Sequence, residues 1–459
     1  MRLREKKPEL IASGLCIGVL ILFFTAILVT VFTRFILVKH FGITNAFTEF
    51  VFADNWQLNS DAETGMVYDI DWEELYPFEE GDPAPETEVS VNQTSPYQLL
   101  HSWKSRIDRI EDKIESYSSK LLIGYRKMTE AAKTYDGIIG WNFASFGEYN
   151  GVVELPDGYL TTLEEQQDVS EQITALEDFY LTLKAENIPL LYVQIPHKIS
   201  ETEDADLSGF SDFSNQNFNQ LLSGLEEKGI DVLDLRARIR EENLRHHELF
   251  YRTDYHWLTT TGIWAAKEIL DYCNTRYHFQ AETERLLPEQ FVQKVYPEWF
   301  LGSQGKKVTL ARTEPDDFTL LYPKYPTLFH FIVPAAGVDE TSDYSVVYDM
   351  TEITVKDYYG KNPYSGCGYG EQPLVRIQNL ENADNRRVLV LRDSFGDCLI
   401  PGLALCEREI DALDLRLFSG SVISYVEQNK PDLVVVLYSA ASIGGAVNYH
   451  SHRDMFDFR

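Results

Sequence analysis

The sequence predicts an α/β fold in which helices flank a parallel sheet. Aliphatic runs at residues 188–195 and 230–235 are separated by a helical pattern over 213–228, which is the strand–helix–strand alternation of a parallel sheet. A later run, Val388 to Leu391, ends in a sharp turn and is followed by a helical pattern over 397–405. With 459 residues, of which 44% are hydrophobic, the chain can bury a large core.

The first 38 residues predict a membrane anchor. Residues 10–33 carry no charge, so the segment 10–38 can cross a bilayer as a helix of about 20 residues. The preceding residues 1–9 are rich in Arg and Lys, which predicts a cytoplasmic N-terminus and an extracytoplasmic body at the cell membrane. A cleaved signal peptide is the alternative, but the apolar run is longer than its usual core of about 7–15 residues.

Two further segments precede the predicted catalytic body. Residues 39–96 are acidic and contain Pro77, Pro83, Pro85 and Pro96, which is typical of a stalk or linker. Residues 97–135 repeat apolar side chains every three or four positions and predict a packing helix. The catalytic domain is expected over 136–459.

Within this domain the pattern changes along the chain. Residues 136–160 predict short strands and turns, and 162–186 and 261–273 predict helices. Residues 280–384 contain short β-like pieces with many Tyr and Pro, and predict a β-rich insertion. The sheet then resumes with predicted strands at 413–417 and 433–438.

Composition excludes several classes of function. The net charge of -31, from 72 acidic and 41 basic residues, argues against nucleic acid as a partner. No P-loop or dinucleotide-binding fingerprint is present, and no cofactor is expected. The five cysteines form no C-x-x-C pair, which argues against a zinc site or a disulfide scaffold, although one or two disulfides remain open.

Ser394 is the candidate nucleophile because it follows a predicted strand and precedes a helix. The carboxyl edge of a parallel sheet is where α/β folds bind ligands, and the first N–H groups of the helix can serve as oxyanion donors. Ser, Asp and Gly also suit an ordinary strand-to-helix turn and helix cap, so the motif alone leaves both interpretations open.

Asp254 and His256 are the candidate acid and base. A serine hydroxyl needs a base to accept its proton, and the base needs a carboxylate to fix its tautomer. The same segment also suits a helix N-cap cluster. A metal site of His246, His247, Asp254 and His256 is the rival, but the spacing lacks a known helical metal motif and no metal is expected.

Three sequence blocks in this order resemble a known family: TDYHW at 253–257, FLGSQGKKVT at 300–309 and VLRDSFG at 390–396. They are similar to the DHHW proteins of Gram-positive bacteria, relatives of the alginate O-acetyltransferases (AlgJ- and AlgX-like) in the SGNH-hydrolase-like superfamily. The chain departs from the family name at Tyr255, where the first histidine is expected.

The resemblance implies a catalytic triad and a fold. Ser394 would be the nucleophile, His256 the general base and Asp254 its orienting acid, in a circularly permuted SGNH-hydrolase-like (flavodoxin-like) sheet. The oxyanion donors would be the amide of Ser394 itself and groups on the loops after the next two strands, which makes Arg416, Tyr438 and Ser439 candidates. The GSQG run, with Gly302 and Ser303, either presents backbone amides to a substrate or forms a tight turn.

Three functions are compatible with the sequence. The resemblance implies an O-acetyltransferase that modifies a cell-surface or secreted polysaccharide, with a membrane-bound O-acyltransferase as a possible acetyl donor. An acetyl esterase would use the same residues with water as the acceptor. A catalytically silent polysaccharide-binding or assembly protein would use Ser394 only as a cap.

Overall fold

The computed structural model describes residues 148–202, 210–443 and 455–459. The predicted cytoplasmic N-terminus, membrane helix, acidic linker and helical segment (1–9, 10–38, 39–96 and 97–135) lie outside the described residues. Among the helices that are described, none combines the length and the apolar character needed to span a bilayer.

The described strands and helices alternate along most of the chain. The strands are β1 (Glu148–Tyr149), β2 (Val152–Glu154), β3 (Leu160–Thr161), β4 (Leu190–Gln194), β5 (Asp231–Asp234), β6 (Phe291–Phe300), β7 (Asp316–Pro323), β8 (Phe329–Val333), β9 (Val338–Ser342), β10 (Leu374–Asn379), β11 (Arg387–Arg392), β12 (Glu409–Leu413) and β13 (Leu433–Tyr438). The helices are α1 (Ser170–Ala185), α2 (Ser214–Glu227), α3 (Leu235–Glu241), α4 (Thr259–Tyr277), α5 (Ser303–Val308), α6 (Met350–Ile353), α7 (Gly396–Cys406), α8 (Val422–Asn429) and α9 (Ala440–Ile443).

One sheet organises the domain, with strand order β5-β4-β13-β11-β12-β10-β8-β9. The first five strands are parallel, and β11 lies between β12 and β13 at the centre of the parallel part. Side chains of β11 alternate between the two faces. Val388 and Val390 face one core with α4 and α7, whereas Leu389 and Leu391 face a second core with α1, α2 and α8. The result is a three-layer, mixed α/β domain, as the sequence predicts.

Residues 280–384, predicted as a β-rich insertion, contain the strands β6 to β10, and most of these strands belong to the central sheet. Strands β8, β9 and β10 extend the sheet beyond β12 in antiparallel pairing. Strands β6 and β7 form a hairpin of their own. The insertion therefore enlarges the central sheet and adds a hairpin beside it.

The boundaries of one strand were predicted wrongly. The apolar alternation of 413–417 predicts a strand there, yet β12 ends at Leu413. The true strand contains Glu409 and Asp411, whose charges are compensated by Arg376 on the neighbouring β10. Asp411 is paired with Arg376, which lies 35 positions earlier in the chain. A pair this distant produces no local hydrophobic pattern, so the strand cannot be recognised from the sequence. Helix α1 also begins later than predicted, at Ser170.

Helices α4 and α7 cross at very close range. A Cβ atom on Gly262 would lie 3.0 Å from Cβ of Cys398, and one on Gly402 would lie 2.9 Å from Cβ of Ala266. Glycine at both positions lets the two helices touch through their backbones. Because α4 follows the Asp254–His256 segment and α7 follows Ser394, this crossing brings the two predicted site segments together.

Candidate active site

Ser394 lies in the turn between β11 and α7, as its position in the sequence predicts. The turn is closed by Asp393, whose carboxylate accepts a hydrogen bond from the amide of Phe395 at 3.1 Å. The carbonyl of Asp393 accepts another from the amide of Gly396 at 3.0 Å. Only 6% of Ser394 is exposed, so its hydroxyl is held in a fixed position at the carboxyl end of the central strand.

The carboxylate of Asp393 also joins this turn to the next strand. Its second oxygen accepts hydrogen bonds from the amide of Ser439 at 2.7 Å and from the hydroxyl of Ser442 at 2.8 Å. Both residues follow β13, the strand adjacent to β11. Sequence reasoning missed the role of Asp393, although a buried acid directly before the candidate serine was the available signal.

The segment with Asp254 and His256 forms a tight loop before α4. Its ends pair through a bridge between Phe250 and Trp257, and the amide of Tyr251 donates to the carbonyl of His256 at 3.1 Å. The indole N–H of Trp257 donates to the carbonyl of Phe395 at 3.1 Å. This last bond ties the loop directly to the serine turn.

A continuous hydrogen-bonded series connects the three candidate residues. His256 Nδ1 lies 2.5 Å from Asp254 Oδ1, and His256 Nε2 lies 2.7 Å from Ser394 Oγ. When Asp254 accepts the Nδ1 proton, Nε2 is left to accept the proton of the serine hydroxyl. All three side chains are buried, so the residues predicted from the sequence do meet, in an arrangement suited to nucleophilic attack.

Two aromatic rings enclose the imidazole of His256. The centroid of the Tyr364 ring lies 4.1 Å from that of His256, nearly parallel to it, and the Tyr255 ring lies 3.9 Å away at 34°. Tyr364 comes from the β-rich insertion. Rings on both sides limit rotation of the imidazole and so hold Nε2 towards Ser394.

The environment of Asp254 keeps its carboxyl ionised. Burial raises the pKa of this carboxyl, but the charge of His256 and hydrogen bonds from His256 and Ser303 outweigh burial and lower the pKa to about 2. The amide of Ser303 donates to Asp254 Oδ2 at 2.6 Å. Asp254 is therefore an anion at neutral pH, as an orienting acid must be.

The GSQG run holds the acid–histidine loop through the amides of Gly302, Ser303 and Gly305. Besides the Ser303 bond, the amide of Gly302 donates to Thr253 Oγ1 at 2.8 Å, and that of Gly305 donates to the carbonyl of Thr253 at 2.8 Å. A Cβ on Gly302 would lie 2.2 Å from Cβ of Asp254. The substrate-binding hypothesis for Gly302 and Ser303 is thus corrected, because these amides are engaged by the acid–histidine loop.

Two buried charges that sequence reasoning missed lie beneath the same loop. Lys198, 1% exposed, donates to the carbonyls of Leu160 at 2.6 Å and Tyr251 at 2.7 Å, and also to that of Asp254. Asp316 on β7 accepts from the amides of Arg252 at 2.9 Å and Thr253 at 2.8 Å. Their sequence neighbourhoods contain no recognisable motif, so only the structure reveals them.

A network of buried charges supports the serine turn. Arg392 donates to Asp397 Oδ1 at 2.7 Å and to the carbonyl of Gly370 at 2.7 Å. Arg416 forms a bidentate pair with Asp414, at 2.9 and 2.6 Å, and an ion pair with Glu371 at 2.8 Å. The guanidinium of Arg416, a predicted oxyanion donor, is therefore engaged by carboxylates.

The structure places the remaining oxyanion candidates elsewhere or in other roles. Tyr438 is fully buried and its hydroxyl donates to the carbonyl of Met455 at 2.9 Å, so its prediction as an oxyanion donor is wrong. The end of β13 points this ring into the core, since alternate residues of a strand face opposite sides. The amide of Ser439 is already used by Asp393. Cys398 is buried in the core, as expected of a packing residue.

The rival metal residues do not gather around His256. His246 Nε2 hydrogen-bonds the carbonyl of His197 at 2.7 Å, and the ring of His247 lies against Tyr159, 5.5 Å between centroids. Asp254 and His256 instead bind each other and Ser394. The arrangement therefore supports acid–base chemistry at the serine.

Comparison with known proteins finds a family model that matches part of this domain. Residues 155–301 match the family model described as SGNH hydrolase-like domain, acetyltransferase AlgX. This stretch contains the Asp254–His256 loop and ends at Leu301, directly before the GSQG run. Ser394 lies beyond it. The domain is mixed α/β with a large central sheet, and its matched part is similar to an SGNH hydrolase-like domain.

Two solved structures share the fold. Bacillus cereus PatB1, solved with a sulfonyl adduct, is similar with a TM-score of 0.53 and 18% identity over 67% of this chain and 98% of that chain. A DHHW family protein from Eubacterium siraeum DSM 15702 has a TM-score of 0.51 and 17% identity over 65% of this chain and 93% of that chain. No curated protein matches the sequence. The resemblance to DHHW and alginate O-acetyltransferase relatives is confirmed.

Proposed function

We propose that the protein is a serine O-acetyltransferase that acetylates a polysaccharide through an acyl-Ser394 intermediate. The observation that carries the proposal is the hydrogen-bonded series Asp254–His256–Ser394 at the carboxyl end of the central strand. The match to the acetyltransferase AlgX family model supports acyl transfer as the class of reaction.

The chemistry follows from the roles of the three side chains. Ser394 Oγ attacks the carbonyl carbon of an acetyl donor while its proton passes to His256 Nε2, and that proton then goes to the leaving group as its bond to the acetyl carbon breaks. A sugar hydroxyl next gives its proton to Nε2 and attacks the acyl-serine. The acetylated sugar leaves, and Ser394 regains the proton.

The acceptor and the location are proposed from the sequence. The apolar segment 10–38, with the basic residues before it, supports an anchor in the cell membrane with the catalytic body outside the cytoplasm. In that setting the acceptor is a cell-surface or secreted polysaccharide. A membrane-bound O-acyltransferase is the proposed source of the acetyl group.

An acyl-enzyme experiment tests the nucleophile. The full-length protein is incubated with 4-nitrophenyl acetate and analysed by intact mass and peptide mapping. We expect one acetyl group on Ser394, and none in Ser394→Ala. The His256→Ala variant should acylate roughly 1,000-fold more slowly or worse, because it has no base. Ser345→Ala removes an exposed hydroxyl distant in sequence and serves as the matched control.

The fate of the acyl group separates the candidate functions. Transfer to added polysaccharide faster than loss to water supports the transferase. Hydrolysis with no transfer to any tested glycan would point to an acetyl esterase. A folded protein that forms no adduct with the ester or with a sulfonyl fluoride would point to a catalytically silent binding protein.

A further inference from the structure

The imidazole of His256 lies between the faces of two tyrosine rings. Its centroid is 4.1 Å from that of Tyr364, with 19° between the ring planes, and 3.9 Å from that of Tyr255, with 34° between the planes. Its two nitrogens contact Asp254 and Ser394 at the edge of the ring. Because His256 is only 3% exposed, aromatic faces rather than water lie against its ring.

The ring of Tyr364 is held in place by several contacts. Its backbone belongs to a short 3₁₀ turn, Pro363–Gly366, and its carbonyl accepts a hydrogen bond from the amide of Cys367 at 3.0 Å. The buried ring meets that of Tyr251 edge-on, with 6.2 Å between centroids. Its hydroxyl donates a long hydrogen bond, 3.5 Å, to the carbonyl of Phe395. These contacts keep one face of the ring against the imidazole.

Acyl transfer places a positive charge on this buried imidazole. When Nε2 of His256 accepts the proton of Ser394, the ring becomes an imidazolium. A buried cation lacks the stabilisation that water would provide, and the carboxylate of Asp254 compensates for this at Nδ1. The face of an aromatic ring carries negative electrostatic potential and attracts a cation within about 6 Å. Tyr364 and Tyr255 present such faces well within that distance.

We propose that Tyr364 and Tyr255 are positioning residues that stabilise the imidazolium of His256 through the negative potential of their ring faces. The proton moves from Ser394 Oγ to Nε2 as the bond between Oγ and the acetyl carbon forms. It then moves from Nε2 to the leaving group as the bond of that group to the acetyl carbon breaks, and neither tyrosine exchanges a proton. Since the charge exists only between these transfers, its stabilisation raises the acylation rate without binding the substrate. The inference rests on the proposed function of Ser394.

A series of rings with decreasing electron density at Tyr364 tests the inference. In the full-length protein, Tyr364 is replaced by phenylalanine and by its difluoro, trifluoro and pentafluoro derivatives. Fluorine withdraws electrons from the ring face and changes the ring's shape little. We expect the burst of Ser394 acylation by 4-nitrophenyl acetate to slow stepwise along the series, by about 10- to 30-fold in total. This is the size of a cation–π contact shielded from water.

Two simpler variants separate the ring face from the hydroxyl. Tyr364→Phe should be acylated within about threefold of the wild-type rate, because it keeps the face and loses only the long hydrogen bond to Phe395. Tyr364→Leu removes the face and should be about as slow as the pentafluoro variant.

The matched control is the same fluorinated series at Phe179. This ring is buried in the second core and stacks on Phe458, with 4.4 Å between centroids. Its fluorination should leave the acylation rate unchanged. Thermal unfolding identifies the variants that fold, and the same series at the half-buried Tyr255 provides a second measurement if a variant of Tyr364 does not fold.

The outcomes distinguish this inference from the function beneath it. If the wild type is acylated at Ser394 and the fluorinated series at Tyr364 and Tyr255 show no decrease in rate, the inference is overturned while the proposed function stands. Slow acylation of Tyr364→Leu with a flat fluorinated series would also overturn it, since the ring would then act by packing alone. An equal decrease in the Phe179 series would have the same meaning. If the wild type forms no adduct, both fail.

Discussion

The two loops that form the candidate site are held in different ways. The serine turn is built by the parallel sheet itself: Asp393 closes it and links it to the end of β13, and Arg392 anchors it to Asp397. The acid–histidine loop is instead held by the β-rich insertion, through Asp316 and the amide of Ser303. The insertion is therefore a structural support for the acid and base.

The bonds also differ in chemical kind. Around the serine, guanidinium groups pair with carboxylates in a network of full charges. Around the acid, backbone groups dominate, since Lys198 binds carbonyls and Asp316 binds amides. Removing a charge near the serine turn should therefore mainly lower the free energy of unfolding. Removing a side chain that binds the backbone of the acid–histidine loop should also change the geometry of that loop.

The largest expected effect is on the serine turn. Arg392→Met should lower the free energy of unfolding by about 3–5 kcal/mol, because it leaves the carboxylate of Asp397 buried without its cation. Urea denaturation measures the loss. Arg240→Met, which removes an exposed pair with Glu201, should cost less than about 1 kcal/mol. Equal losses in the two variants would contradict the proposed role of the buried network.

Removal of Asp316 should disrupt the acid–histidine loop. Asp316→Ala leaves the amides of Arg252 and Thr253 without their acceptor, at a cost of about 3 kcal/mol. Because the loop carries Asp254, Asp316→Ala should also be acylated at Ser394 much more slowly than Arg392→Met. Both variants are compared under conditions in which they are folded. The neighbouring Asp317 accepts one exposed amide, so Asp317→Ala is the matched control. An unchanged acylation rate in Asp316→Ala would show that the insertion does not support the site.

Low pH should weaken the acid–histidine loop in a defined window. Since the folded pKa of Asp254, about 2, is below its ordinary value of 3.8, its stabilising contribution is fully present above about pH 4. That contribution, about 2 kcal/mol, is lost as the pH falls from about 4 towards 2. The stability difference between the wild type and Asp254→Asn should shrink over this range in urea titrations. A difference that does not vary with pH would mean that the carboxyl is not held ionised.

The last expected effect concerns the buried Lys198. Burial lowers the pKa of this ammonium to about 7, although Asp254 and Asp316 raise it. Between pH 7 and about 10 the unfolded chain binds more protons at this lysine, so wild-type stability should rise with pH by about 1 kcal/mol per unit. Lys198→Met should lack this rise, whereas the exposed Lys430→Met should keep it. Parallel pH profiles of wild type and Lys198→Met would contradict the lowered pKa.

Much of the fold could be predicted from local patterns. The aliphatic run at β13 and the strand–turn–helix around Ser394 are visible because a strand buried on both faces is uniformly apolar. Strand β12 could not be found this way, because its acids are compensated by Arg376 on another strand. Whether segment 10–38 spans a membrane stays a prediction.

The sequence by itself indicated the three residues of the candidate site: acid, base and nucleophile types stand at strand and helix ends, and the resemblance to DHHW proteins favoured the triad over helix caps. Only the tertiary structure decided what holds them and what surrounds them. Asp316 lies 63 positions from Thr253, and Tyr364 and Ser303 reach His256 and Asp254 from the insertion. A hydrogen bond between distant residues leaves no periodic trace in the chain, because it depends on where folding brings the two groups together.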